Sequence, residues 1–192
     1  YLWKKTNYYV ILVGDKRFAE KYAKRVEKCI QTKTKAYPNR RQNVWFVRNN
    51  SYKLFSLFKK VREDVGFLEE LLKKAGIDSC LFFVEGFFDA EGCVKIIKEP
   101  VRKTPKICLD ITNTNFGFLE VVRNLLKENL GIAANYSSRE GHLGKDGFLR
   151  KKVYHLRIYK KDFVRTFLEK IHTTKLKEEK IKYVENWLTN GK

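Results

Sequence analysis

The chain has 192 residues, 41 Lys and Arg against 22 Asp and Glu, and a formal net charge of +19. Its 43% apolar and 14% aromatic content is enough to bury a core, which excludes a disordered polybasic tail. No run approaches the roughly 18 apolar residues of a membrane span, and Tyr1-Leu-Trp-Lys-Lys5 is no signal peptide.

Cysteine usage narrows the class further. Cys29, Cys80, Cys93 and Cys108 are too scattered for a disulfide scaffold and form no CxxC pair. The composition points to an intracellular protein, in cytoplasm or organelle matrix, with no membrane partner. Its partner is polyanionic, nucleic acid first.

Along the chain, Tyr8 to Val13 reads as a strand. Phe18, Tyr22, Val26 and Ile30, four apart, predict an amphipathic helix after it. A polar hairpin over 33–43 leads into the alternating run Val44-Trp-Phe-Val-Arg48, then a helix carrying Leu54, Leu57, Phe58 and Val61. Phe67 to Ala75 predicts a short helix ended by Gly76. Asp78 or Ser79 is the expected N-cap of a second, running from Cys80 to Glu91 and stopped by Gly92.

The first pattern then returns about a hundred residues on. Lys106 to Thr112 is a strand with Ile107, Leu109 and Ile111 on one face and Lys106, Cys108, Asp110 and Thr112 on the other. Phe118, Val122, Leu126 and Leu130 repeat the helix, Val153-Tyr-His-Leu-Arg157 repeats the returning strand, and Phe163, Phe167, Leu168 and Ile171 repeat the second helix. The second hairpin is about nine residues longer, with Gly141, Gly144 and Gly147 at its tip. A C-terminal helix over 175–188 packs through Leu176, Ile181, Val184 and Leu188. Two such halves predict a duplicated α+β protein whose sheets meet helices on one face and a partner on the other.

Val84-Glu-Gly-Phe-Phe-Asp-Ala-Glu-Gly92 carries the chemistry. Gly86 and Ala90 make a small-residue stripe against which another helix backbone packs closely, with Phe83, Phe87 and Phe88 around it. Glu91 stands at the helix C-terminus, where the macrodipole disfavours a carboxylate unless a cation compensates. It lies about 200° around from Asp89, off the face shared by Glu85 and Asp89, which is expected to be exposed. A carboxylate placed there suits a divalent metal bound through oxygen.

This segment resembles the signature of the LAGLIDADG homing endonucleases, matching at Gly86, Asp89, Ala90, Glu91 and Gly92. The order of elements extends the resemblance over nearly the whole chain. It implies a two-repeat, intron-encoded enzyme of the archaeal or organellar type. The implied fold is pseudo-twofold αββαββα with two saddle-shaped antiparallel sheets covered by helices. The halves would be 1–76, lacking its own motif helix, and 77–192, with the motif helix at 79–92.

The implied activity is double-strand DNA hydrolysis at a specific site. It would use Mg2+ or Mn2+ held by Glu91, the catalytic acid, facing a twin acid from the other half. The chain has no Met, and its first residues look like those following a motif's final Gly. The twin is therefore expected before Tyr1, in a monomer, or else from a second copy. The family's basic residue after the strand has no clear counterpart near Thr114, leaving Lys16, Lys95 and Lys106 as candidates.

The charge is expected on the hairpins and open sheet faces: Lys33, Lys35, Arg40, Arg41, Gln42 and Arg48 in the first half, and Lys106, Arg139, Arg150, Lys152, His155 and Arg157 in the second. Phe46 shares that outer face, with Ser137, His142 and Lys145 in the longer hairpin. Trp45, Val47, Tyr154 and Leu156 go to the core. His142, His155 and His172 lack zinc-site spacing. The rival readings are a non-cleaving relative, acting as an intron RNA maturase or DNA-binding protein, and a generic basic nucleic-acid module.

Overall fold

The computed structural model describes residues 2–3, 8–13, 15–98 and 105–190, the segments 2–3 and 8–13 by their backbone alone. Lys4 and Lys5, part of the expected motif-following start, lie outside the described residues. The chain divides into two compact units, Tyr1–Leu71 and Leu72–Lys192. The division falls a few residues before the 76/77 boundary expected from the repeat. No helix of the described residues is long and apolar enough to cross a membrane.

In the first unit, β1 (Leu2–Trp3) and β2 (Tyr8–Val13) precede α1 (Lys16–Ile30); β3 (Ala36–Asn39), β4 (Val44–Asn49), α2 (Tyr52–Glu63) and the start of α3 (Val65–Lys74) follow. The strands form one antiparallel sheet in the order β1-β2-β4-β3. Asp15 starts α1 by accepting from the Arg17 and Phe18 amides at 2.8 and 3.2 Å, satisfying donors a helix leaves open. α1 lays Ala19 and Ala23 on Val47, with Trp45 beside them. Phe55 is the buried residue of α2, packing on Val26 with Leu54 and Phe58, whereas Leu57 is exposed. Leu54, Phe58 and Val61 of the expected stripe are at least half-buried, and the buried Phe55 lies between Leu54 and Phe58 in the place expected for Leu57. Ser51 caps the helix by accepting from the Leu54 amide at 3.4 Å.

The second unit opens with α4 (Gly76–Glu91), then β5 (Gly92–Ile97), β6 (Lys106–Asn113), α5 (Phe116–Leu130), β7 (Asn135–Arg139), β8 (His142–Leu143), β9 (Leu149–Arg150), β10 (Val153–Ile158), α6 (Lys161–Lys170) and α7 (Glu178–Asn190). Its main sheet runs β5-β6-β10-β7, the same order as in the first unit. The β3–β4 connection takes residues 40–43 and the β7–β10 connection 140–152; the longer one contains the small β8–β9 ladder. Ile107, Leu109, Ile111, Val94, Leu156 and Ile158 fill the helix-covered face with Leu119, Val122, Leu126, Val164 and Phe167.

Three boundaries differ from expectation. α4 starts at Gly76 (φ +75°), with no side-chain cap from Asp78 or Ser79. A turn through the left-handed region lets α4 follow α3 almost directly, and that region favours Gly. α3 starts at Val65, where Asp64 accepts from the Phe67 amide at 2.9 Å. α7 starts only at Glu178, because residues 172–175 form a turn held from α4. Val184 is the α7 side chain buried in the unit.

Candidate nucleic-acid interface and acidic site

The acids of α4 have separate fates. Glu85 and Asp89, expected on an exposed face, are 3% and 1% exposed. The Glu85 carboxylate accepts from the His172 amide at 3.3 Å; Asp89 accepts from the Thr174 amide at 2.7 Å and the Thr173 hydroxyl at 2.6 Å. The two acids therefore supply acceptors that the α6–α7 turn lacks within itself. The spacing of four put them on one face, as the sequence says, but that face meets a distant turn instead of solvent.

Glu91 points elsewhere and is exposed. The protein around the foot of α4 desolvates it enough to push its carboxyl above the ordinary glutamate value, while Lys175 pulls the other way. Lys175 follows the turn that Asp89 holds, and its own amide donates to Thr173 Oγ1 at 3.0 Å. At Gly92, a Cβ would lie 2.5 Å from both the ring and the carbonyl oxygen of Phe88. Only Gly lets the chain leave α4 directly into β5 there. Among the described residues no group of three or more His, Cys, Asp or Glu side chains could hold a metal. Glu91 supplies one hard oxygen donor, and a divalent cation held there would have to take its remaining ligands from outside the described residues.

Gly86 is half-buried and Ala90 exposed, with nothing within 4 Å of a Cβ built on Gly86. The packing of α4 on α5 and α6 goes through other positions: Phe87 meets Phe118 and Phe88 meets Phe167, at centroid distances of 6.1 and 4.9 Å. The small-residue stripe is left open, with Phe82 exposed beside it.

On the face of the second sheet away from the helices, Asp110 of the inner strand β6 is 1% exposed. His155 Nδ1 lies 3.1 Å and Arg157 Nε 3.4 Å from its Oδ1; Lys95 donates to Oδ2. Burial alone would raise the Asp110 carboxyl, but hydrogen bonds and charge from Lys95 and His155 hold it below the ordinary aspartate value. His155 and Arg157 were predicted for this face, and both are there. Asp110 was not singled out as a site residue, although the alternation of 106–112 already placed it on this side.

The remaining predicted contacts lie as follows. Lys33, Lys35, Arg40, Arg41, Gln42 and Arg48 are exposed, with Gln42 Oε1 accepting from Asn39 at 3.1 Å. Arg139 is exposed; Arg150 pairs with Asp146 at 2.5 Å and Lys152 with Glu140 at 2.6 Å. Lys106 is half-buried at the start of β6. Lys16 pairs with Glu20 at 3.6 Å and stands over Trp45. The exposed apolar tip Leu143, Phe148 and Leu149 was missed, since nothing in its spacing marks an extra ladder.

Residues 78–172 match the family model of the LAGLIDADG-like domain. The chain resembles mesophilic variants of the homing endonuclease I-DmoI at 22% identity, covering 85% of this chain and 79% of that one, with a TM-score of 0.53. I-DmoI in complex with DNA and Ca matches at 21% identity over 85% and 74% of the two chains, TM-score 0.53. The N-terminal LAGLIDADG domain of DUF199/WhiA matches at 15% identity over 94% and 77%, TM-score 0.58. No curated protein sequence matches. These likenesses, joined to two sheets of identical strand order, establish the fold: the chain is a LAGLIDADG-fold protein, and its residues 78–172 are a LAGLIDADG-like domain.

Proposed function

We propose that this protein is a site-specific, divalent-metal-dependent DNA endonuclease, encoded by an intron-like element and related in function to the homing enzyme it resembles. The observation that carries the reading is Glu91, an exposed acid at the foot of the motif helix in a chain of net charge +19. An acid set beside a scissile phosphate calls for a cation between them. Mg2+ or Mn2+ would be held by Glu91, and would supply charge neutralisation and an activated water at the scissile phosphate.

The rest falls to the chain. Lys and Arg of the hairpins bind phosphates and position the duplex. Arg157, His155 and Gln42 have the chemistry to read base edges. Lys175, acting through its charge, partly offsets the negative charge of Glu91 when no cation is bound. The open Gly86–Ala90 stripe is suited to a second motif helix, which would bring the twin acid that cutting both strands requires.

The test is incubation of supercoiled plasmid carrying the uninterrupted host-gene junction with Mg2+, using wild type and Glu91→Gln. Linear product from wild type alone supports the reading. Binding without cutting by both proteins would sink it and favour the maturase or regulator.

A further inference from the structure

We propose that Asp110 is a positioning residue for DNA recognition, which fixes Lys95, His155 and Arg157 as one preset reading cluster on the open face of the second sheet. The inference rests on the nucleic-acid reading above and deepens it.

The placement follows from strand register. Asp110 lies opposite Cys93 on β5 and Arg157 on β10, and Thr112, two residues on, lies opposite His155. Three cationic or ionisable side chains therefore converge on one carboxylate from both neighbouring strands. Both carboxylate oxygens are used, Oδ1 by His155 and Arg157 and Oδ2 by Lys95. The side chain of Asp110 is 1% exposed, whereas those of Lys95 and Arg157 are 44% and 29% exposed. The acid is roofed over by groups that still reach solvent.

This arrangement does more than cancel charge. An ionised carboxylate only accepts, so His155 Nδ1 must carry the proton facing Asp110, with Thr112 Oγ1 3.1 Å from the same nitrogen. In the neutral ring Nε2 is then the acceptor, which suits an exocyclic amino group of adenine or cytosine in the major groove. Arg157 is held through Nε by Asp110 and by a second side-chain hydrogen bond with Tyr159, and of the five N–H donors of a guanidinium others are left for guanine or phosphate. Asp110 thus lowers the attraction of the face for any polyanion while fixing the donors and acceptors that discriminate sequence. Preset groups lose less side-chain entropy on binding.

The test separates those two effects. Wild type, Asp110→Asn and a charge control, Glu169→Gln on α6, are each bound to a pool of short random-sequence duplexes without added metal. The bound fraction is sequenced, and affinity for one scrambled duplex is measured across a salt series. Thermal melts verify that each variant is folded. Asp110→Asn is expected to bind the scrambled duplex at least as tightly as wild type, yet to enrich preferred sequences roughly tenfold less. Glu169→Gln should leave enrichment unchanged.

Equal enrichment by Asp110→Asn and wild type overturns the proposal while leaving the DNA reading intact. So does a parallel loss of affinity for all sequences, since that is what simple structural damage produces. If wild type itself enriches nothing, sequence-specific binding fails and the role of Asp110 fails with it. Lys95→Ala and Arg157→Ala keep the fold testable should Asp110→Asn melt early: each should lower enrichment, and unchanged enrichment in both overturns the proposal.

Discussion

Asp89 and Glu91 stand two residues apart on α4, and their substitutions should have opposite consequences. Asp89→Ala removes a 1% exposed carboxylate that accepts at 2.6 Å from the Thr173 hydroxyl and 2.7 Å from the Thr174 amide. Hydrogen bonds to a charged group each contribute about 1.5–3 kcal/mol, offset by the desolvation of the carboxylate. What remains after deletion is a buried amide and a hydroxyl without acceptors, so the net loss should be about 3 kcal/mol. Asp89→Asn keeps Oδ1 as an acceptor and should lose only about 1 kcal/mol.

Amide hydrogen exchange at Thr174 is the direct assay, since it reports local opening of the turn as well as unfolding of the unit. A loss of about 3 kcal/mol speeds exchange there roughly a hundredfold. Urea denaturation followed by circular dichroism then reports how much of the loss is global. Exchange at Thr174 within twofold of wild type in Asp89→Ala would refute the assignment of Asp89 as the acceptor that builds this turn.

Further outcomes follow from the same geometry. Glu91→Gln should abolish cleavage in the plasmid assay yet leave the melting temperature unchanged or slightly higher. The raised carboxyl means that ionised Glu91 is disfavoured in the fold, a penalty present above its folded value and relieved as pH falls, so the amide removes it. For Asp110 the sign reverses: its lowered value contributes stability that is complete above about pH 3.9 and is lost as pH falls through the folded value. Asp110→Asn should therefore flatten that part of the acid-unfolding curve, as melts between neutral and acid pH will show. Gly92→Ala drives a Cβ to 2.5 Å from the Phe88 carbonyl oxygen and ring, and should cost about 2 kcal/mol in a urea melt. Gly86→Ala meets nothing within 4 Å and should instead raise stability by about 0.8 kcal/mol, measured the same way.

What the sequence made legible is what depends on neighbours along the chain. The fourfold spacing of Phe118, Val122 and Leu126 marked α5, and the alternation of Ile107, Leu109 and Ile111 marked the core face of β6. The extra length of the second hairpin was also visible, though not the ladder that β8 and β9 make within it. The cap expected at Asp78 or Ser79 is absent, because α4 begins at Gly76, where backbone freedom alone does the work.

The misread acids share one physical cause. Glu85 and Asp89 satisfy backbone amides more than eighty residues away. Asp110, whose face the alternation did place, likewise draws its cations from strands that pair with β6 only after the chain folds. Local pattern gives a carboxylate a face but not a partner, and without the partner an acid reads as solvated. Glu91 is the instructive contrast. Among the described residues it has no buried turn to hold and no cationic roof, only Lys175 at a distance. The pattern that put Glu85 and Asp89 on an exposed face also set Glu91 apart from them, and Glu91 is exposed. An acid left so placed, in a chain this basic, is the position to which a cation and a phosphate must both come if the protein cuts DNA.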